Sequence, residues 1–164
     1  PEMKSTGEVM GIDKDFGLAY AKSQMASQNS LPTKGLAFIS LKDRHKNEGV
    51  DLAKQLVKLG FTLCGTEGTA NRIIKNGIKC KKINKVSGGS PHIIDVLNSK
   101  KIALVINTGG GKRKYRIQDS TSLRRSTLIN KVPYCTNMST AYAFLEAIKS
   151  LKTKKIEVKS LQEI

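Results

Sequence analysis

Two unbroken apolar runs constrain this chain more than any other feature. Leu36-Ala37-Phe38-Ile39-Ser40-Leu41 and Ile102-Ala103-Leu104-Val105-Ile106 are apolar at nearly every position rather than at alternate ones. A strand with one face in water alternates, so such runs predict strands buried on both faces of a parallel sheet. Phe61-Thr62-Leu63-Cys64 supplies another strand, residues 78–84 a lysine-containing one, and Tyr134-Cys135-Thr136 a short last one. Helix-period segments lie between them. One runs from near Asn47 to Gly60 with Val50, Ala53, Leu56 and Val57 on one face; the next runs from near Thr66 to Gly77 with Ala70, Ile73 and Ile74. Ser90-Pro91 reads as an N-cap and first helical residue, opening a helix through Leu97. A glycine-rich loop is expected over 108–118, then a helix from near Asp119 with Leu123, Leu128 and Ile129. The last helix turns Ala141, Phe144, Leu145, Ile148 and Leu151 inward. Repeated strand–helix units require right-handed crossovers, so the fold class is α/β: a three-layer, doubly wound, mainly parallel five-stranded sheet of Rossmann type.

In such sheets ligands sit at the carboxyl ends of the strands, near the point where strand order reverses. Ser40, Thr66 and Asn107 all fall at predicted strand ends, which suggests one shared pocket. Gly65-Thr66-Glu67-Gly68-Thr69-Ala70 places two hydroxyls three residues apart where a strand gives way to a helix. The first-turn N–H groups and the positive end of the helix dipole point into the same space, which suits an anion. Asn107-Thr108-Gly109-Gly110-Gly111-Lys112-Arg113 is a second phosphate-compatible loop. Together they describe a site for a phosphorylated small molecule.

Charge is distributed unevenly. Residues 1–35 carry four Lys against four acids, whereas the remainder carries 25 Lys and Arg against nine acids and hence the whole net charge of +16. That excess invites a nucleic-acid reading. The basic residues are scattered over several elements, however, with only four Phe and four Tyr for base stacking, so no nucleic-acid partner is expected. A salt-titrated DNA-binding assay separates the two. The longest apolar run is too short to span a bilayer, and no secretory signal is recognisable, so neither a membrane partner nor export is expected. Cys64, Cys80 and Cys135 are odd in number and lack C-x-x-C spacing, which argues against disulfides and a metal site and for the cytoplasm. Residues 1–34 look like the end of a preceding domain plus a linker, with Asp13 as a candidate cap for a helix carrying Phe16, Ala19, Tyr20 and Met25. Residues 35–151 form the main domain and 152–164 a Lys-rich tail or peripheral strand. Pro1 in place of an initiator Met reads as a fragment or a processed product.

Each candidate has a bland alternative. Thr66 and Thr69 suit simple N-capping, Lys85 suits a surface lysine, and His45 and His92 suit local hydrogen bonding without an evident carboxylate partner. Arg124 and Arg125 point about 100° apart on a helix and read as structural.

Five segments occur in a characteristic order and spacing: Ser5-Thr6-Gly7-Glu8-Val9-Met10-Gly11, Thr66-Glu67-Gly68-Thr69, Asn84-Lys85-Val86, Pro91-His92-Ile93 and Leu123-Arg124-Arg125-Ser126. Through them nearly the whole chain resembles the C-terminal end of the carbamoyl phosphate synthetase large subunit. The resemblance implies an allosteric domain of methylglyoxal-synthase-like fold at 35–151, preceded by the end of an ATP-grasp synthetase domain at 1–34. It implies binding of nucleotide effectors, UMP or IMP in bacterial members, at Ser40, Lys46, Thr66, Thr69, Lys85, Asn107 and Thr108. Tyr134 and Thr136 match half of an ornithine site. It also implies no catalytic centre and no cofactor in this fragment. The parent uses ATP with Mg, together with a glutaminase small subunit, to make carbamoyl phosphate for pyrimidine and arginine synthesis.

The loop after Asn107 departs from the bacterial pattern: it is about two residues longer, and Gly109 replaces a hydroxyl. Lys112, Arg113 and Lys114 there are either extra phosphate ligands or solvent-facing charges. The competing reading is a free-standing methylglyoxal synthase acting on dihydroxyacetone phosphate. That chemistry needs a carboxylate base, yet Ser87-Gly88-Gly89-Ser90 stands where that family places Gly-Gly-Asp.

Overall fold

The computed structural model describes residues 9–84, 89, 92–109, 113–158, 160 and 162, with the backbone alone over 113–119. Five strands, β1 (Gly35–Ser40), β2 (Phe61–Gly65), β3 (Lys81–Lys82), β4 (Ile102–Asn107) and β5 (Tyr134–Cys135), form one sheet in the order β3-β2-β1-β4-β5. Every pairing is parallel. The chain winds outward from β1 to β3, then returns to lay β4 against the other side of β1. The strand order therefore reverses between β1 and β4, the arrangement expected from the apolar runs.

Among the described residues six α-helices cover the sheet: α1 (Phe16–Ala26), α2 (Lys46–Lys58), α3 (Glu67–Lys75), α4 (Ile93–Asn98), α5 (Arg113–Ile129) and α6 (Met138–Thr153). Successive β1 side chains serve opposite faces. Ala37 and Ile39 pack with Leu52, Leu56, Ile73, Phe144 and Ile148, whereas Phe38 packs with Cys64, Val105, Ile93, Leu97 and Leu123. The first cluster joins α1, α2, α3 and α6 to the sheet; the second joins α4 and α5. Gly60 and Gly77 end α2 and α3 at φ +90° and +77°, the left-handed conformation that lets a glycine close a helix.

Several boundaries differ from expectation. The cap of α1 is Asp15, not Asp13: its carboxylate accepts the Leu18 N–H at 2.9 Å and the Ser150 hydroxyl at 2.7 Å. The Lys154 ammonium, 2.6 Å away, together with Ser150 and the Leu18 N–H, holds the Asp15 carboxyl well below its usual range. Asp13 instead pairs with Lys22 at 2.7 Å. Residues 78–84 yield only the two-residue β3, because Lys81 and Lys82 are both exposed at the sheet edge. The expected 108–118 loop is shorter, since α5 is already helical at Arg113 rather than near Asp119. The N-cap of α4 is His92, and Ser90 and Pro91 lie outside the described residues. Leu128 and Ile129 face solvent at 69% and 72% exposure. Helix α6 runs two residues past the expected boundary at 151, and Lys152 reaches back to the Leu59 carbonyl.

All three cysteines are free thiols: Cys64 and Cys135 are buried in the core, and Cys80 is half-buried against it. Burial pushes Cys64 and Cys135 up to about 12 and Cys80 up to about 11. In the unfolded chain these thiols ionise near 9, so the unfolded state loses protons first and stability falls as pH rises from 9 towards 12. Urea melts under reducing conditions should show that loss, and the variant Cys64→Ala/Cys135→Ala should flatten it.

Candidate functional site

The carboxyl ends of β1, β2 and β4 meet because their register is tight. Ser40 pairs with Asn107 across β1 and β4, and Ile39 pairs with Gly65 across β1 and β2. Thr66 follows Gly65 as the N-cap of α3, with extended backbone at φ −63° and ψ 150°. Its hydroxyl makes no capping bond. It lies instead 3.3 Å from Ser40 Oγ and 3.4 Å from Thr69 Oγ1. The Thr66 carbonyl takes the N–H groups of Thr69 and Ala70, so those of Glu67 and Gly68 have no acceptor within the helix. Three hydroxyls and the positive end of α3 thus share one corner.

The remaining predicted residues frame that corner or brace it. Thr69 is 2% exposed, and its hydroxyl accepts the Leu41 N–H at 3.0 Å, tying the exit of β1 to α3. Thr108 does the same on the other side: its N–H donates to the Ser40 carbonyl and its hydroxyl accepts the Lys42 N–H, both at 3.0 Å. Asn107 is engaged at both ends, its Oδ1 accepting the Gly109 N–H at 3.1 Å and its Nδ2 donating to the Tyr134 hydroxyl at 3.2 Å. Lys46 opens α2, where its Nζ pairs with Asp43 at 2.6 Å and leans over Gly68; a Cβ there would lie 2.9 Å from it. Tyr134 is half-buried beneath the Arg124 guanidinium, whose carbon lies 5.9 Å from the ring centroid, and Thr136 is exposed. Lys85, Gly110, Gly111 and Lys112 lie outside the described residues, as do the side chains of Arg113 and Lys114.

Lys42 was not singled out by the sequence. It leaves β1 two residues after Ser40, and its side chain runs beside Gly109, 3.7 Å from where a Cβ would stand. Its signal was its place in the loop after the first strand, alongside Lys46. The two histidines divide. His92 donates its backbone N–H to Asp95 at 2.8 Å and holds Nδ1 3.3 Å from the same carboxylate, a helix-start role. His45 accepts the Arg44 Nε–H at 3.1 Å. Among the described residues no group of three or more His, Cys, Asp or Glu is placed to hold a metal ion, and no helix is long and apolar enough to cross a membrane. The corner is a cradle of hydroxyls, backbone N–H groups and lysines, chemistry that binds an anion's oxygens.

Residues 48–136 match the MGS-like domain family. The chain is 47% identical over 163 residues to the carbamoyl phosphate synthase large chain of Mesorhizobium japonicum, covering 99% of this chain and 14% of that protein. It is 49% identical over 169 residues to the carbamoyl phosphate synthase large chain, C-terminal section, of Aquifex aeolicus, covering 100% of this chain and 31% of the relative. It thus spans less than a third of either relative's length. Among solved structures, methylglyoxal synthase from Elizabethkingia anophelis superposes with a TM-score of 0.54 at 19% identity, covering 71% of this chain and 80% of that one. That likeness shows a shared fold.

Proposed function

This chain belongs to the MGS-like domain family, and from that premise we propose that it is the effector-binding regulatory domain of a carbamoyl phosphate synthase large chain, taking a UMP- or IMP-type nucleotide. The observation that carries the reading is the placement of the Thr66 hydroxyl. An N-cap threonine that does not cap its own helix, but meets Ser40 and Thr69 beside first-turn N–H groups that have no acceptor within the helix, is arranged for a ligand rather than for helix stability. Lys46 supplies charge beside it, and Lys85 is assigned the same role.

In this reading the fragment binds and does not catalyse. ATP with Mg, the synthetase domains and the glutaminase small subunit belong to the rest of the parent enzyme, and the setting is the cytoplasm. Regulation is a population shift, in which the nucleotide favours one packing of the domain against the synthetase core. Tyr134 and Thr136 form half of an ornithine site. The Asn107–Tyr134 hydrogen bond gives that half-site a direct link to the nucleotide cradle.

Calorimetric titration with UMP and IMP tests the proposal. Thr66→Val keeps the side-chain shape and removes the hydroxyl, so affinity should fall about tenfold while helix stability changes little. Lys85→Ala should weaken binding by a similar factor. Absence of binding by either nucleotide overturns the reading, and turnover of dihydroxyacetone phosphate by the same sample would put a methylglyoxal synthase in its place.

A further inference from the structure

Two lysines leave the loop after β1 and go to opposite sides of the cradle. The Lys46 ammonium lies over Gly68 at the start of α3, whereas the Lys42 side chain lies over Gly109, just past the end of β4. The base of Lys42 is fixed. Its N–H donates to the Thr108 hydroxyl at 3.0 Å, and the Thr108 N–H donates to the Ser40 carbonyl at the same distance, so the exits of β1 and β4 are tied together. Lys42 Cε lies 3.7 Å from where a Cβ on Gly109 would stand, and the ammonium is one bond further on. Asp43, the next residue, pairs with Lys46, and among the described residues Lys42 forms no ion pair. Gly109 has φ +73°, a conformation that favours glycine, and it stands where the loop departs from the bacterial pattern by losing a hydroxyl. The turn that excludes a side-chain donor at 109 therefore receives one from Lys42.

We infer that Lys42 is a specificity-determining residue of the cradle, its ammonium donating to the ribose hydroxyls of the bound nucleotide. A phosphate held by Thr66, Thr69 and the first-turn N–H groups of α3 lies at the end of β2. Strand β1 separates β2 from β4, and two strand spacings come to about 10 Å, so the β4 side meets the nucleoside rather than the phosphate. An ammonium has three donors and no acceptor, and the oxygens of neighbouring sugar hydroxyls accept from it. Pinned at its base and half-buried, Lys42 loses less freedom on binding than a free surface lysine would. The inference rests on the nucleotide reading above and deepens it, from nucleotides to ribonucleotides in preference to 2′-deoxyribonucleotides.

The test is calorimetric titration of the chain with UMP and with its 2′-deoxy counterpart, dUMP, at one fixed ionic strength. Three proteins are compared: the unaltered chain, Lys42→Met, which keeps the apolar stem and removes the ammonium, and Lys54→Met, which removes the same charge from an exposed position on α2. The unaltered chain should bind UMP about tenfold more tightly than dUMP. Lys42→Met should lose about tenfold in UMP affinity and keep its dUMP affinity, which also shows that the variant is folded. Lys54→Met should keep both affinities. Equal affinity of the unaltered chain for UMP and dUMP, or a preference that survives in Lys42→Met, overturns the sugar assignment and leaves the nucleotide reading standing. Equal loss of both ligands in Lys42→Met would put the ammonium on the phosphate or base and also overturns it. Binding of neither nucleotide by the unaltered chain overturns both.

Discussion

Gly65→Val should cost about 3 kcal/mol of stability and abolish measurable effector binding. Gly65 closes β2 opposite Ile39 of β1, and a Cβ there would stand 2.5 Å from the Ile39 carbonyl oxygen. That oxygen is backbone within a paired strand, so it cannot swing aside as a side-chain tip would. The strands must part instead. Their next residues are Ser40 and Thr66, whose hydroxyls are 3.3 Å apart, so the damage falls on the cradle itself. Urea denaturation measures the first loss and UMP calorimetry the second. Binding that survives in a destabilised but folded variant would show that the Ser40–Thr66 spacing is not what the ligand requires.

The physical basis of the site explains which parts could be read from sequence. Ser40, Thr66 and Asn107 were recognisable as neighbours because apolar runs mark parallel strands, and parallel strands present their carboxyl ends together. The use of each hydroxyl was not. Thr66 and Thr69 both look like capping residues in one dimension, yet one turns to Ser40 and the other receives the Leu41 N–H. Asn107 and Tyr134 are 27 residues apart in the chain, and only the β4–β5 pairing brings their side chains together. Helix boundaries failed where no local signal stood. The glycine run before Arg113 disguises how early α5 begins, and its end is marked by Lys131 at φ 51° rather than by glycine. Strand β3 shrank because a strand with lysines on both faces buries nothing, leaving only edge hydrogen bonds to hold it.

The sheet is covered unequally, and this gives Phe38 more weight than its place in the sequence suggests. Among the described residues, four helices pack on the Ala37–Ile39 side, whereas α4 and α5 cover the other. Phe38 is 1% exposed and sits in the middle of that thinner layer, against Cys64, Val105, Ile93, Leu97 and Leu123. Phe38→Ala should therefore cost about 3–5 kcal/mol, the range for removing a buried ring that its surroundings cannot replace. The strand would resist collapse into the space because β1 is paired on both edges, with β2 and β4. Helix α4 has only six residues and would gain little by shifting alone, so the missing contacts should loosen α4 and α5 together. Hydrogen exchange should then rise in those two helices before it rises in α2 and α6. Uniform exchange across both layers would instead mean that the two clusters unfold as one unit. Phe38 also stands two residues before Ser40, so any shift of β1 that does occur should register as weaker UMP binding, with Thr66 chemically untouched.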